Sequence, residues 1–513
     1  MKYPVGVQNF DSLRKEGFLY IDKTSMIYQI AQGGRYYFLS RPRRFGKSLL
    51  ISTMEAYFKG QRELFDGLKL SELETEWLVY PVLHLDLNAE KYDTKESLDV
   101  VLDMNLNKWE KEFEVETQGK TLSSRFKEVI RRAYEKTGMK VVVLVDEYDK
   151  PLLQTIDHQE LQDDYRATLK AFYGVLKSSD QYIKLAFLTG VTHFGKVSVF
   201  SDLNNLEDIS MLPQYVDLCG ITDQEIRHEL DAEVQDLATA NNISKETCYA
   251  KLKEHYDGYH FSPNTVGIYN PFSLLCTLKN NRFGDYWFET GTPTFLVELL
   301  KKSEYDLNNL THERVTGDVI NSIDSMEENP IPVLYQSGYL TIHGYDERFR
   351  KYLLGFPNKE VELGFINFIA PYYTGMKPTK AEFYVENFIE DIETGQPEKF
   401  MKRLQAMFAD TDYRLVGKAE LYFHNATMVF FKMLGFYIQV ERPTSDGRMD
   451  MVLQTPDYIY IFEFKLDETA DVALRQIETR GYAKPFSADP RQLYKIGVSF
   501  SSQTRDIADW KVE

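Results

Sequence analysis

Cysteine is scarce in this chain of 513 residues: Cys219, Cys248 and Cys276 are the only three, too widely spaced for a CxxC pair. An odd and scattered set encodes neither a disulfide framework nor a cysteine-rich zinc site, and it fits a reducing, cytoplasmic compartment. Long hydrophobic runs are also missing. Even runs such as Val141 to Val145 and Met428 to Phe431 fall far short of the roughly 20 residues that span a bilayer, and Met1 to Asp11 contains no apolar signal core. The expectation is a protein neither secreted nor membrane-embedded. No internal repeat, low-complexity tract or Gly/Ser linker is present, so domain boundaries must come from changes of pattern. Basic excess is lacking as well: 60 Lys and Arg stand against 78 Asp and Glu, a net charge of −18. That balance excludes a surface that coats nucleic acid or anionic lipid indiscriminately, so any polyanion site is local.

What the chain does have is apolar material. Aromatics make up 14% and hydrophobic residues 43%, which excludes a mainly disordered protein. At roughly 150 residues per domain the length suggests about three domains. Residues 36–40 (YYFLS), 81–87 (PVLHLDL), 141–145 (VVVLV) and 183–189 (IKLAFLT) are short apolar runs separated by helical periodicity. Strands buried on both faces read this way, so a parallel sheet flanked by helices is expected over residues 1–215. A mainly helical region is expected over 216–375, opened by a capping box of Thr222 and Glu225 and containing a strand near 339–345. Residues 376–513 begin with a helical stretch from Lys380 to Asp410. Their core, 415–505, reads as a helix at 418–434, strands at 436–442, 449–455, 458–465 and 494–500, and a helix at 469–480. Residues 411–513 carry 13 Lys and Arg against 15 Asp and Glu, so the last domain is nearly neutral and the better candidate for meeting a polyanion.

Residues 36–50 read YYFLSRPRRFGKSLL, a strand running into Gly46, Lys47 and Ser48 and then an apolar helix start. This is the context of a phosphate-binding loop for a nucleotide such as ATP. Glycine lets the backbone close around phosphate, lysine reaches the β/γ-phosphates, the serine hydroxyl ligates Mg²⁺, and the helix N-terminus adds partial positive charge. The general pattern asks for glycine where this chain has Arg41, and Pro42 lacks an N–H. Phosphate contacts are therefore expected from Arg41, Arg43 or Arg44. Residues 141–149, VVVLVDEYD, form an apolar strand ending in two carboxylates, which are costly to bury without a cation. Asp146 is expected to hold Mg²⁺ and Glu147 to orient an attacking water. Thr189, ending the next strand, faces the γ-phosphate or is an ordinary strand terminus.

Residues 446–465 read DGRMDMVLQTPDYIYIFEFK, two strand-like runs about the turn formers Pro456 and Asp457. In a symmetric hairpin closed there, Asp450 lies opposite Glu463 with Cβ atoms roughly 5 Å apart. Lys465, two residues beyond Glu463, points the same way. Two carboxylates and an ammonium converging on a strand that is apolar on both faces suit Mg²⁺ or Mn²⁺ and phosphodiester chemistry.

RPRRFGKSLL, LVDEYDKP, LTGVTHFGKVSVFSDLNNLEDIS, YDGYHF and YNPFS together resemble the AAA-ATPase-like proteins, mostly bacterial, that carry a C-terminal nuclease-like domain. The spacing D-x12-E-x-K resembles the PD-(D/E)XK nuclease fold. The resemblance implies an α/β protein with an N-terminal P-loop NTPase parallel sheet, a helical middle region and a C-terminal restriction-endonuclease-like domain. It implies Glu420, on the first helix of that domain, as a further metal ligand, and Gln476 with Tyr482 as residues that steady the site. His424 meets substrate or sits in the core. The implied partner is nucleic acid, DNA ahead of RNA, with no membrane, and a homo-oligomer is one assembly the resemblance allows. The opposing expectation is a non-enzymatic, nucleotide-dependent nucleic-acid-binding or signalling protein with a dormant nuclease fold.

Overall fold

The computed structural model describes residues 2–88, 90–116, 120–156, 158–192, 205–288, 295–311, 313–320, 329–374, 381–409, 419–435, 439–441 and 450–513. Their contacts divide the chain into two compact units, one of residues 1–289, 312–326 and 331–360, the other of residues 290–311, 327–330 and 361–513.

The first unit is built on five strands: β1 (Tyr36–Ser40), β2 (Val82–Asp86), β3 (Val141–Asp146), β4 (Ile183–Gly190) and β5 (Glu207–Asp208). All pair in parallel, in the order β2-β3-β4-β1-β5. β3 is buried along all six of its residues, the outcome expected of an uninterrupted valine and leucine run in a sheet covered on both faces. One face packs on Leu98, Leu102, Leu106 and Trp109 of the helix Ser97–Phe113, on Phe126, Val129 and Ile130 of Leu122–Thr137, and on Leu169 and Phe172 of Gln159–Ser178. β4 runs between β1 and β3, so the carboxylate end of β3 lies one strand away from the loop that follows β1.

The helical part follows. Thr222 and Glu225 form a reciprocal capping box that opens the helix Asp223–Glu229. The helices Asp231–Ala240, Lys245–Tyr256 and Pro271–Asn280 share a core with it through Ile226, Val234, Leu237, Leu252, Leu274 and Leu278. β6 (Ile221–Thr222) pairs antiparallel with β7 (Ile268–Tyr269). A separate antiparallel sheet joins β8 (Glu313–Thr316), β9 (Thr341–Asp346) and β10 (Lys351–Gly355) in the order β8-β10-β9.

The second unit holds a mixed sheet of β11 (Gln439–Glu441), β12 (Asp450–Gln454), β13 (Tyr458–Leu466), β14 (Gln492–Ser501) and β15 (Asp506–Val512), in that order. The helix Ala470–Arg480 connects β13 to its parallel neighbour β14 and packs Leu474 and Ile477 on Ile459 and Ile461. The alternate residues of β13, Phe462 and Phe464, meet Phe400 and Phe431 from the helices Pro397–Ala409 and Ala419–Gly435 on the opposite face. Full burial of each such aromatic stabilises by roughly 1.5–3 kcal/mol, so β13 anchors the unit. The stretch expected to be helical from Lys380 to Asp410 is two helices, Ala381–Glu393 and Pro397–Ala409, broken where Gly395 takes φ 69°.

Candidate functional site

Two places concentrate chemistry. In the first unit, β1 ends at Ser40 and the helix Lys47–Phe58 begins seven residues later, with Gly46 at φ 90° as a left-handed cap that offers no side chain to the first-turn N–H groups. Glycine is favoured there because the left-handed turn is easy only without a Cβ. The Lys47 ammonium is 3% exposed and sits 3.1 Å from Glu147 Oε1, while also donating to the carbonyls of Arg41 at 3.0 Å and Pro42 at 3.3 Å. Asp146 at the end of β3 accepts from Thr189 Oγ1 at 2.6 Å and from the Ser48 hydroxyl. Burial pushes the Asp146 carboxyl above its usual range, Glu147 adds to the push, and the Ser48 and Thr189 hydrogen bonds oppose it. Ser48, Lys47, Asp146 and Glu147 are thus brought together, though they come from segments about 100 residues apart. Glu147 takes φ 54°, a strained conformation for a residue with a side chain.

The three arginines part company. Arg43 is exposed, and Arg44 lies 4.9 Å over the Phe272 ring. Arg41 differs from the expectation of a phosphate contact. Its guanidinium is 1% exposed, donates to the carbonyls of Ser40, Ser210 and Tyr215 at 2.8, 2.8 and 2.9 Å, and covers the Phe261 ring at 4.0 Å. Burial lowers its pKa to about 10. Arg41 takes the place of the usual glycine because it braces the loop from behind. Thr189 likewise gives its hydroxyl to Asp146 and not to the front of the loop.

In the second unit, β12 and β13 form the expected hairpin. Asp450 is paired with Glu463, Met451 with Phe462 and Val452 with Ile461, and Tyr458 closes the turn by donating its N–H to Thr455 Oγ1 at 3.0 Å. Lys465 Nζ stands 2.9 Å from Glu463 Oε1. Glu463 is fully buried, and among the described residues its Oε2 has no hydrogen-bond partner. A buried carboxylate oxygen left open costs free energy unless a cation meets it; hard oxygen donors of this kind suit Mg²⁺ or Mn²⁺. Gln476, on the helix that covers this face, also has a buried amide nitrogen without a partner. Tyr482 packs on the apolar cluster beneath that helix. The side chains of Glu420 and Asp450 lie outside the described residues; their backbones stand at the start of the helix Ala419–Gly435 and at the start of β12. Phe423, one turn after Glu420, stacks on Phe500 at 4.3 Å, and Phe500 stacks on Phe464. The helix start therefore lies over the end of β13 that carries Lys465, across the sheet from the face of Glu463. His424 is half-buried on that helix.

Family profiles assign both ends of the chain. One described as a predicted AAA-ATPase matches residues 4–200, and one for the PD-(D/E)XK nuclease superfamily matches residues 418–510. A curated relative, an uncharacterised protein in the vnfD 5′ region of Azotobacter chroococcum mcd 1, is 32% identical over 523 residues, covering 100% of this chain and 99% of that protein. The chain belongs to the AAA-ATPase-like family with a C-terminal PD-(D/E)XK domain. A solved structure of the Aeropyrum pernix ORC2 protein in ADPNP–ADP complexes covers 70% of this chain and 90% of its own at 10% identity and a TM-score of 0.23, too low to carry an argument. No helix among the described residues is long and apolar enough to cross a membrane.

The strings that carry the family resemblance meet around the loop. From YDGYHF, Tyr259 and Phe261 pack edge-on against Phe45 at 4.8 and 5.4 Å. Gly258 is forced by its neighbour, since a Cβ there would fall 2.0 Å from the Pro357 carbonyl. From YNPFS, Asn270 caps the helix that presents Phe272 to Arg44. The loop at 198–210 is described only from residue 205. Within it, the Ser210 hydroxyl accepts from the Ser40 N–H at 2.8 Å, tying the end of β1 in place.

Sequence reasoning passed over Asp149. It is fully buried and accepts from the Val191 and Thr192 N–H groups at 3.0 and 2.6 Å and from Thr192 Oγ1 at 2.5 Å, which fixes the end of β4 beside the carboxylates. Burial, reinforced by Glu147, raises its pKa to about 6. The third acid in VDEYD was the available signal.

Proposed function

We propose that this protein binds and hydrolyses ATP at the loop of Gly46, Lys47 and Ser48 and couples that site to a Mg²⁺- or Mn²⁺-dependent cleavage of nucleic-acid phosphodiester bonds, in DNA ahead of RNA. Residues 1–215 form the ATPase, 216–375 the helical region between, and 376–513 the nuclease. The work is cytoplasmic, with a homo-oligomer as the assembled form.

At the nucleotide site, Lys47 would leave Glu147 to meet phosphate, Ser48 and Asp146 would hold the Mg²⁺, and Arg43 and Arg44 would flank the anion. Released from Lys47, Glu147 accepts a proton from the attacking water. Arg41 supports the loop from beneath.

The observation that carries the nuclease reading is the register of Asp450 with Glu463, together with the 2.9 Å Lys465 contact and the open Oε2 of Glu463. A divalent ion held by Asp450 and Glu463 would supply Lewis-acid polarisation of the scissile phosphate; Glu420, the further ligand the resemblance implies, starts a helix on the other face of the sheet and would have to reach the ion around the end of β13. Lys465 orients the attacking water and offsets the negative charge that develops on the phosphoryl oxygens, and Gln476, whose amide nitrogen is left open, is the residue that would steady the site. Water adds to phosphorus as the bond to the departing sugar oxygen breaks, and that oxygen gains a proton. The test is incubation of the purified protein with Mg²⁺ or Mn²⁺ and single- and double-stranded DNA and RNA, with and without ATP. Metal-dependent cleavage is expected; a full set of intact substrates overturns the reading.

A further inference from the structure

The antiparallel sheet β8-β10-β9 belongs to neither site, yet on an acidic chain it gathers four exposed cations, which outnumber its acids Glu313, Asp346 and Glu347. Asp346 of β9 pairs with Lys351 of β10 across a four-residue tip, Glu347 to Arg350. The tip has a defined shape: the Phe349 N–H donates to Asp346 Oδ1 at 3.2 Å, and Arg350 takes φ 52°. Arg348, Arg350 and Lys351 are exposed, and so is Arg314 of β8. Arg314 pairs with Leu353, two residues beyond Lys351, and so shares its face of the sheet. Among the described residues none of these four cations makes an ion pair within 4.0 Å, although elsewhere in the chain lysines and arginines commonly pair with nearby acids.

Aromatic rings stand in the same hairpin. Phe349 is 58% exposed at the tip with the Arg348 guanidinium 5.0 Å from its ring. Tyr345 is 38% exposed and rests against Tyr352 at 4.8 Å. Exposing a phenylalanine costs free energy unless a partner covers it. A net charge of −18 repels polyanions in general, so four cations without ion pairs, against the acids Glu313, Asp346 and Glu347 and beside an exposed ring, make a small local exception.

We infer that the β9–β10 hairpin is a nucleic-acid contact, its cations meeting backbone phosphates and Phe349 stacking on an unpaired base. Cationic grooves interleaved with aromatic platforms hold single strands in this way, phosphate contacts giving affinity and stacking tolerating any base. A lone phenylalanine ringed by guanidinium groups is too little apolar area for stable membrane anchoring. The choice of polyanion rests on the nucleic-acid reading above; the site itself uses none of the nuclease residues.

The experiment is fluorescence anisotropy of a labelled single-stranded oligonucleotide of mixed sequence with the full chain, in EDTA so that binding is read without cleavage. Arg348→Glu, Arg350→Glu and Lys351→Glu combined should weaken binding at least tenfold near 0.15 M salt and flatten the log–log salt slope by about two, at about 0.7 for each phosphate no longer neutralised. Phe349→Ala should weaken it about fivefold or more with the slope unchanged. The pair Arg348→Ala and Arg350→Ala, checked by circular dichroism, guards against a folding artefact and should flatten the slope by about 1.4, two-thirds as much. Wild-type affinity and slope in the charge variants overturn the hairpin assignment even where the protein cleaves DNA. Binding by wild type to phosphatidylserine vesicles but not to the oligonucleotide overturns it too. Hairpin-dependent binding by a protein that never cleaves keeps this inference and removes the nuclease.

Discussion

Glu147→Gln should tighten ATP binding while removing turnover. In the structure Lys47 is held by three oxygens: Glu147 Oε1 at 3.1 Å and the Arg41 and Pro42 carbonyls at 3.0 and 3.3 Å. Phosphate has to win the ammonium from all three. The Glu147 contact is the charged one and is shielded, with 3% and 16% of the two side chains exposed, so it falls in the range of about 1.5–3 kcal/mol for a hydrogen bond to a charged group. Glutamine keeps the shape and a weaker acceptor, and about half of that energy returns to the ligand, a tightening of roughly three- to tenfold in Kd. The same change removes the proton acceptor, which costs on the order of 10² to 10⁴ in turnover. Isothermal titration with ATP and a phosphate-release assay read the two effects separately. Turnover at the wild-type rate refutes the role given to Glu147, and weakened ATP binding refutes the competition between carboxylate and phosphate.

Three further perturbations address separate parts of the account. Arg41→Met strands the carbonyls of Ser40, Ser210 and Tyr215 and should cost about 3 kcal/mol of stability by thermal or denaturant unfolding; an unchanged Tm would mean that the guanidinium faces the ligand after all. Mn²⁺ should raise the Tm of the wild type, by about 2.7 kcal/mol of linkage at a hundredfold excess over Kd, and leave Glu463→Gln unmoved; an equal rise in both removes Glu463 as a ligand. Asp149 has a folded pKa of about 6, above its ordinary 3.8. Its contribution to stability is therefore fully present below about pH 4 and lost as pH rises through 6. The Tm of wild type relative to Asp149→Asn should accordingly climb as pH falls from 7 to 4, and a constant difference would show that Asp149 is not raised.

The hairpin was legible from sequence because its information is local. A turn at Pro456 and Asp457 and the two-residue alternation of a strand suffice to pair Asp450 with Glu463, and the observed register is that pairing. The parallel sheet was legible for a related reason: β3 is an unbroken apolar run, which few other environments accept. The last strand, β15, was missed because DIADWKV interrupts its four apolar residues with three charges and is half exposed at a sheet edge, so neither an apolar run nor clean alternation marks it. Arg41 was misread because its partners are the carbonyls of Ser210 and Tyr215, about 170 residues away, and no spacing rule reaches that far. The same distance hid the roles of Tyr259, Phe261 and Phe272 around the loop. Asp149 stood in plain view, but its partners Val191 and Thr192 arrive only with the neighbouring strand.

The claim on which the account turns is that Asp450, paired across the hairpin with Glu463, belongs to a metal-dependent nuclease whose chemistry is distinct from the ATP site. Cleavage and ATP turnover measured side by side on wild type and Asp450→Ala in Mn²⁺ test it most directly. The prediction is that the variant loses cleavage and still turns over ATP at the wild-type rate; cutting that persists in the variant would contradict the assignment.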